Sequence, residues 1–239
     1  IKLAEKNAKI FKRKKIYFFI YNMKIQFLTS KKSWLTKEKK KFILLILKKF
    51  TKKPRFITNY KKLNKNYDVT IIISYYDIIK PNYLSFSKYN LVAHESDLPS
   101  GRGHSPLYWQ ILRSQKKITT TLFECSKNVD TGPYYYKKKF SYNENLLYHE
   151  IKELQFFNSY ELIIKFLKYY KKNKKAPPSK KQNGKASYFK KLTKKDSKIN
   201  IYKSLKSQFN RLRTVDNDNF PAFFLYKKRK FILKIFNSK

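Results

Sequence analysis

Glycine, cysteine and acidic side chains are all scarce in this chain of 239 residues. The single cysteine, Cys125, excludes an internal disulfide and any cysteine-based metal cluster. Three histidines, His94, His104 and His149, leave too little material for a histidine-rich metal site, so no metal is expected. No apolar run approaches the ~20 residues that a membrane-spanning helix requires, so no membrane partner is expected. The expected compartment is a reducing cytoplasm. Residues 14–20, two lysines followed by IYFFI, have the outline of a signal-peptide start, but no small-residue cleavage site follows. Met23 opens the first clean apolar stretch, and residues 1–22 are read as an upstream extension. Four glycines in the whole chain make each one conspicuous, and two of them, Gly101 and Gly103, stand in one short loop.

What is abundant points elsewhere. Hydrophobic residues make up 41% and aromatics 18%, enough to bury the core of one α/β domain with a small appendage. The formal net charge of +42 first points to a polyanion such as nucleic acid. Arginine, which dominates bidentate contact with phosphates and bases, is nevertheless limited to Arg13, Arg55, Arg102, Arg113, Arg211, Arg213 and Arg229. The lysines run along the whole chain, and Asn, Tyr, Phe and Ile are enriched with them. That even spread favours genome-wide codon bias over a selected polyanion site.

Residues 23–29 (MKIQFLT) read as a buried strand, and residues 34–50 as an amphipathic helix carrying Phe42, Leu44, Leu45, Leu47 and Phe50. Residues 69–74 (VTIIIS) are continuous and β-branched, the pattern of a strand buried on both faces. A short strand over 90–93 leads to His94. Residues 96–106 hold Pro99, Gly101, Gly103 and Pro106 and read as a loop, 105–112 as a helix and 119–124 (TTTLFE) as a strand. A turn at 128–133 precedes extended structure over 134–140 and a helix over 146–170. Strand, helix, strand, strand at this spacing predicts an open, mostly parallel sheet with helices on both faces. The domain is drawn over 23–170. Residues 171–185, with Pro177, Pro178 and Gly184 among lysines, read as a linker or exposed loop. Residues 186–239 form a small α+β appendage, with a helix over 201–212 and a hairpin over 221–236.

The densest cluster of unusual residues is HESDLPSGRGHSP, His94 to Pro106, which follows a strand where open α/β sheets place ligands. After another strand comes VDTGP, with Asp130 in a glycine turn. A lone histidine is more often structural than catalytic, and Asp before Thr-Gly is a common turn. Order and spacing are what raise this pair above that reading.

Here the sequence resembles the folate-dependent formyltransferases, whose hallmark is a His followed by Ser, Leu-Pro and a glycine loop, then an Asp-Thr-Gly turn. His94, Ser96, Leu98, Pro99, Arg102, Gly103 and Pro106 match the first part, and Asp130, Thr131 and Gly132 the second. Residues 187–218 and 220–224 (FPAFF) look like the region that follows the catalytic domain in enzymes formylating nucleotide-linked amino sugars. The resemblance implies a Rossmann-like sheet, N10-formyltetrahydrofolate as formyl donor, and His94 and Asp130 as catalytic residues. It implies Ser74, Tyr75, Ile78, Ser96, Arg102, Gly103 and Gly132 as residues that hold folate or substrate, with Arg102 available to a phosphate. In the mechanism it implies, His94 stabilises an oxyanion or protonates the leaving nitrogen, while Asp130 orients His94 and receives the amine proton. The family's usual Asn two residues before the His is Val92 here. Asn90 shares its strand face but sits roughly 6–7 Å further back. The acceptor implied first is a nucleotide-linked amino sugar; methionyl-tRNA is the second reading, and a degenerate folate- or RNA-binding relative the third. A homodimer is the expected assembly.

Overall fold

The computed structural model describes residues 23–238; the extension expected at 1–22 lies outside them. Strand β1 (Ile25–Leu28) is buried at all four positions. The helix predicted over 34–50 begins as a wide π-helical turn, Leu35–Lys39, and continues as α1 (Lys40–Leu47), which buries Ile43, Ile46 and Leu47. Strands β2 (Arg55–Ile57) and β3 (Tyr67–Ile72) follow, then the single-turn helix α2 (Pro81–Leu84) and β4 (Ser87–His94). Next come the two-residue strand β5 (Arg102–Gly103), helix α3 (Pro106–Leu112), and the long strands β6 (Lys117–Glu124) and β7 (Tyr134–Ser141). Helix α4 (Tyr148–Asn173), the two-residue β8 (Tyr188–Phe189), helix α5 (Leu205–Arg213) and the hairpin β9 (Ala222–Tyr226) and β10 (Arg229–Leu233) complete the described chain.

The main sheet has the order β2-β1-β3-β4-β6-β7. The first four strands are parallel, and β6 and β7 add an antiparallel edge. The mostly parallel sheet read from the sequence is therefore present. One face is covered by α1 and α4. Helix α4 presents Phe156, Leu162, Ile163, Phe166, Leu167 and Tyr170 to Phe27, Val69, Ile71 and Leu91, while Ile151 packs with Leu107, Ile111 and Ile118. Each such side chain taken out of water stabilises the fold by about 1.5–3 kcal/mol. The helix starts where the Glu150 carboxylate accepts the Leu147 amide at 2.8 Å, satisfying a donor that the first turn leaves free. It ends at Lys174, which is left-handed at φ +57°.

The other face is covered more thinly, by α2 and by loops. Tyr60, Leu63, Tyr75, Ile79, Tyr83, Phe86, Val92 and Cys125 pack there around Leu28, Ile57 and Ile72. Because β1, β3 and β4 are parallel, their carboxyl ends open at one edge, and the loops beginning at Thr29, Ile73 and Glu95 gather there. Among the described residues no helix is long and apolar enough to cross a membrane.

Candidate active site

His94 is the last residue of β4. Strand alternation sets Asn90, Val92 and His94 on one face, the thinly covered one. The ring is buried and its Nε2 lies 2.8 Å from the carbonyl oxygen of Gly101. A carbonyl can only accept, so Nε2 carries the proton and, in the neutral ring, Nδ1 carries the lone pair. Asp130 comes from the turn between β6 and β7, in the left-handed region at φ +54°. Its Oδ2 accepts the Gly103 amide at 2.8 Å and stands 3.8 Å from His94 Nε2. The two side chains thus meet without bonding to each other. Each is held by a different residue of the same loop, His94 by Gly101 and Asp130 by Gly103.

The sequence reading has Asp130 orienting His94. In the structure the Gly101 carbonyl orients the ring, and 3.8 Å exceeds hydrogen-bonding range. The two glycines are required by contact as well as by conformation. A Cβ at Gly101 would fall 2.6 Å from the Phe189 ring, and one at Gly103 2.6 Å from the Phe189 carbonyl. At Gly132, a Cβ would overlap the Glu124 carbonyl at 1.7 Å.

The remaining expected residues divide into two groups. Ser96, Arg102, Gly103 and Gly132 surround the pair. The Ser96 carbonyl accepts Thr121 Oγ1 at 2.6 Å, while its hydroxyl is buried without a partner. Arg102, read as available to a phosphate, has both terminal nitrogens engaged within the protein, while its Nε is buried without a partner. Its Nη2 donates to Gln182 at 2.8 Å, its Nη1 to the Tyr188 hydroxyl at 3.2 Å, and its guanidinium lies over the Tyr188 ring. Ser74, Tyr75 and Ile78 belong to the neighbouring loop. The Ser74 carbonyl accepts the Ser30 amide, and the Tyr75 hydroxyl accepts the Tyr60 amide at 3.1 Å, so both fasten loops. Ile78 is 74% exposed.

Val92 packs with Ile72, Tyr75, Ile79, Tyr83 and Cys125 and brings no polar atom to the position. Asn90 does not replace it. Its Nδ2 donates to the Leu84 carbonyl at 2.8 Å, and its Oδ1 is buried without a partner. Among the described residues no cluster of three or more His, Cys, Asp or Glu side chains could hold a metal ion.

Three titratable groups at least partly buried near the site escape the sequence reading. Glu95, next to His94, is buried, accepts Ser159 Oγ at 3.2 Å, and has its pKa raised by burial. The attraction of Lys152 opposes that rise, and burial in turn pushes Lys152 down to about 8. Glu124 accepts the Asn90 amide at 2.6 Å and the Tyr135 hydroxyl at 2.8 Å, and burial raises it to about 7. In so lysine-rich a chain nothing marks Lys152 as buried; an acid at the end of an apolar strand marks Glu95 and Glu124.

No family model matches the chain. Over 185 residues, 74% of its length, the chain is 30% identical to the methionyl-tRNA formyltransferase of Thermosipho melanesiensis and covers 58% of that protein. It is also 30% identical over 138 residues to the corresponding protein of Orientia tsutsugamushi, covering 44% of it. The chain spans about half the length of the curated relatives it matches. Among solved structures, the methionyl-tRNA formyltransferase from Clostridium thermocellum superposes with a TM-score of 0.73 at 24% identity, over 91% of this chain and 94% of that one. HypX from Aquifex aeolicus in complex with tetrahydrofolic acid gives 0.72 at 15%, over 90% and 38%. A 4-N formyltransferase from Francisella tularensis gives 0.66 at 16%, over 91% and 99%. These likenesses show the shared fold.

Proposed function

The chain belongs to the folate-dependent formyltransferase family, and on that premise we propose that it moves a formyl group from N10-formyltetrahydrofolate to a primary amine at His94 and Asp130. The observation that carries this reading is the meeting of a buried His and a half-buried carboxylate, distant in sequence, 3.8 Å apart beside the carboxyl end of β4. The surroundings fit the donor. Val92, Tyr75, Ile79, Tyr83 and Cys125 supply an apolar wall for a flat ring, and Asn90 Oδ1 and Ser96 Oγ are polar atoms without protein partners. When bound, the donor supplies the transferable formyl carbon.

The residues of the chain do the rest. His94 holds a proton at Nε2, and a carbonyl oxygen gaining negative charge competes with Gly101 for that donor. The Asp130 carboxylate accepts the proton that the attacking amine loses, directly or through one water, and the donor nitrogen that the formyl carbon leaves takes up one proton in exchange.

The methionyl-tRNA formyltransferase relatives support a charged tRNA as acceptor. A second reading, a nucleotide-linked amino sugar, is favoured by a fold likeness running through 99% of the Francisella 4-N formyltransferase. The test is formyl incorporation from N10-formyltetrahydrofolate into methionyl-tRNA and into a panel of nucleotide-linked amino sugars. Incorporation into tRNA alone is expected, and incorporation into a sugar alone selects the second reading. Tetrahydrofolate binding without incorporation into either amine would overturn the catalytic reading.

A further inference from the structure

Residues 171–185 read as a linker or exposed loop and those from 186 as the start of the C-terminal appendage, and residues 180–190 span that boundary. In the structure they lie across both loops that hold His94 and Asp130. Lys180 exchanges two backbone hydrogen bonds with Tyr134, each 2.8 Å. Further along, β8 pairs with β5 in register Arg102 with Tyr188 and Gly103 with Phe189. The Gly101 amide donates to Ser187 Oγ at 2.8 Å, and the His104 amide to the Phe189 carbonyl at 3.0 Å.

Gln182 stands between these two sets of contacts. Its Nε2 donates to the carbonyls of Asp130, at 2.9 Å, and Gly132, at 2.8 Å, so one amide group spans the Asp-Thr-Gly turn. Its Oε1 accepts from Arg102 Nη2 at 2.8 Å, which ties the turn to the glycine loop. A carboxamide offers two N–H donors and one carbonyl, and here all three directions are used. The turn needs such a restraint, because Asp130 is a non-glycine residue at φ +54°, a conformation that persists only where the surroundings fix it.

We propose that Gln182 is a positioning residue for the reacting pair. It fixes the Asp130 turn against the loop whose Gly101 carbonyl orients His94, and so sets the separation of the two side chains. The proposal rests on the reading of His94 and Asp130 as the reacting pair. A glutamine that merely stabilised the fold would lose folding and activity together on substitution. A positioning residue loses turnover with the fold intact, and acts through Asp130.

The experiment compares Gln182→Ala and Gln182→Glu in the full chain. Gln182→Glu keeps the side-chain volume and the Arg102 contact but turns both donors into acceptors facing carbonyls, so it stays informative if Gln182→Ala fails to fold. The first readout is the imidazole nitrogen NMR signal of His94, assigned by its loss in His94→Ala. It should move in Gln182→Glu and in Asp130→Asn, with the signals of His104 and His149 unmoved. A His94 signal unchanged in folded Gln182→Glu overturns the proposal. The second readout is kinetic. The kcat should fall at least ~10-fold with KM for the donor nearly constant, and Gln182→Glu in an Asp130→Asn background should cost little more than Asp130→Asn alone. Additive losses overturn the proposal. If the wild-type chain transfers no formyl group to any acceptor, the functional reading fails, and the NMR readout alone decides the positioning role.

Discussion

The Asp130 carboxylate takes its 2.8 Å hydrogen bond from the amide of Gly103. That contact leaves His94 Nε2 at 3.8 Å, near enough to feel the charge and too far to share a proton. Asp130→Asn keeps the shape and removes the charge and the proton-accepting capacity. The kcat for formyl transfer is expected to fall by ~10²–10⁴, the usual share of acid–base catalysis, with KM for the donor little changed. His94→Ala is expected to lose at least as much. Steady-state kinetics on the acceptor that the wild-type chain formylates give the comparison, and near wild-type turnover in either variant would remove the pair from the mechanism.

Val92 sits on the same strand face as His94, where it brings only methyl groups. Val92→Asn places a donor beside the developing oxyanion, and one such donor is typically worth ~10²–10³ in rate. A gain of at least ~10-fold in kcat is expected, offset by some loss of stability from a polar group in an apolar cluster. An unchanged kcat in a folded Val92→Asn protein would mean that another donor already serves the oxyanion.

Gly132 has no room for a methyl group. A Cβ there meets the Glu124 carbonyl oxygen at 1.7 Å, so the main chain of the turn must move. Gly132→Ala is expected to destabilise the fold by more than ~3 kcal/mol in urea unfolding. Gly184, at positive φ but with open space around its ideal Cβ, is expected to tolerate alanine at a cost of about 1 kcal/mol. Similar costs at the two positions would contradict the contact argument.

Glu124 makes stability depend on pH. Its carboxyl is raised from 4.5 to about 7 in the folded chain, so the folded state binds a proton that the unfolded state has released. The stability it contributes is complete below 4.5 and is lost as pH rises through about 7. The full loss is up to about 3 kcal/mol. Thermal melts between pH 5 and 8 should show Tm falling with pH in the wild type and a flatter profile in Glu124→Gln. Parallel profiles for the two proteins would refute the assignment.

Much of this architecture is legible in the sequence, for identifiable reasons. Residues 69–74 announce β3 because a continuous β-branched run has few other uses, and the single-face stripe of residues 146–170 announces α4. The spacing of His94, the glycine loop and Asp130 carries the site. What escapes is set by contacts too distant or too short to leave a period. Strand β2 has three residues after a proline, and β5 and β8 have two each, so neither alternation nor length marks them. Arg102 looks available to a ligand because its partners, Gln182 and Tyr188, lie some eighty residues away. Gln182 itself is hidden by lysine, proline and glycine neighbours whose composition reads as linker.

The crossing of residues 180–190 over both loops also orders events in time. A chain made from its N-terminus presents His94 and Asp130 about fifty residues before Gln182 and Phe189 exist, which is several seconds at ~5–20 residues per second. β7 and α4 are made within that interval, so every strand of the main sheet and the helix that covers it precede Gln182. The glycine loop and the Asp-Thr-Gly turn cannot yet take their final contacts, since β8 and Gln182 are their partners. The main sheet of a nascent chain is therefore complete before the site is, and a later stretch closes an earlier part of it.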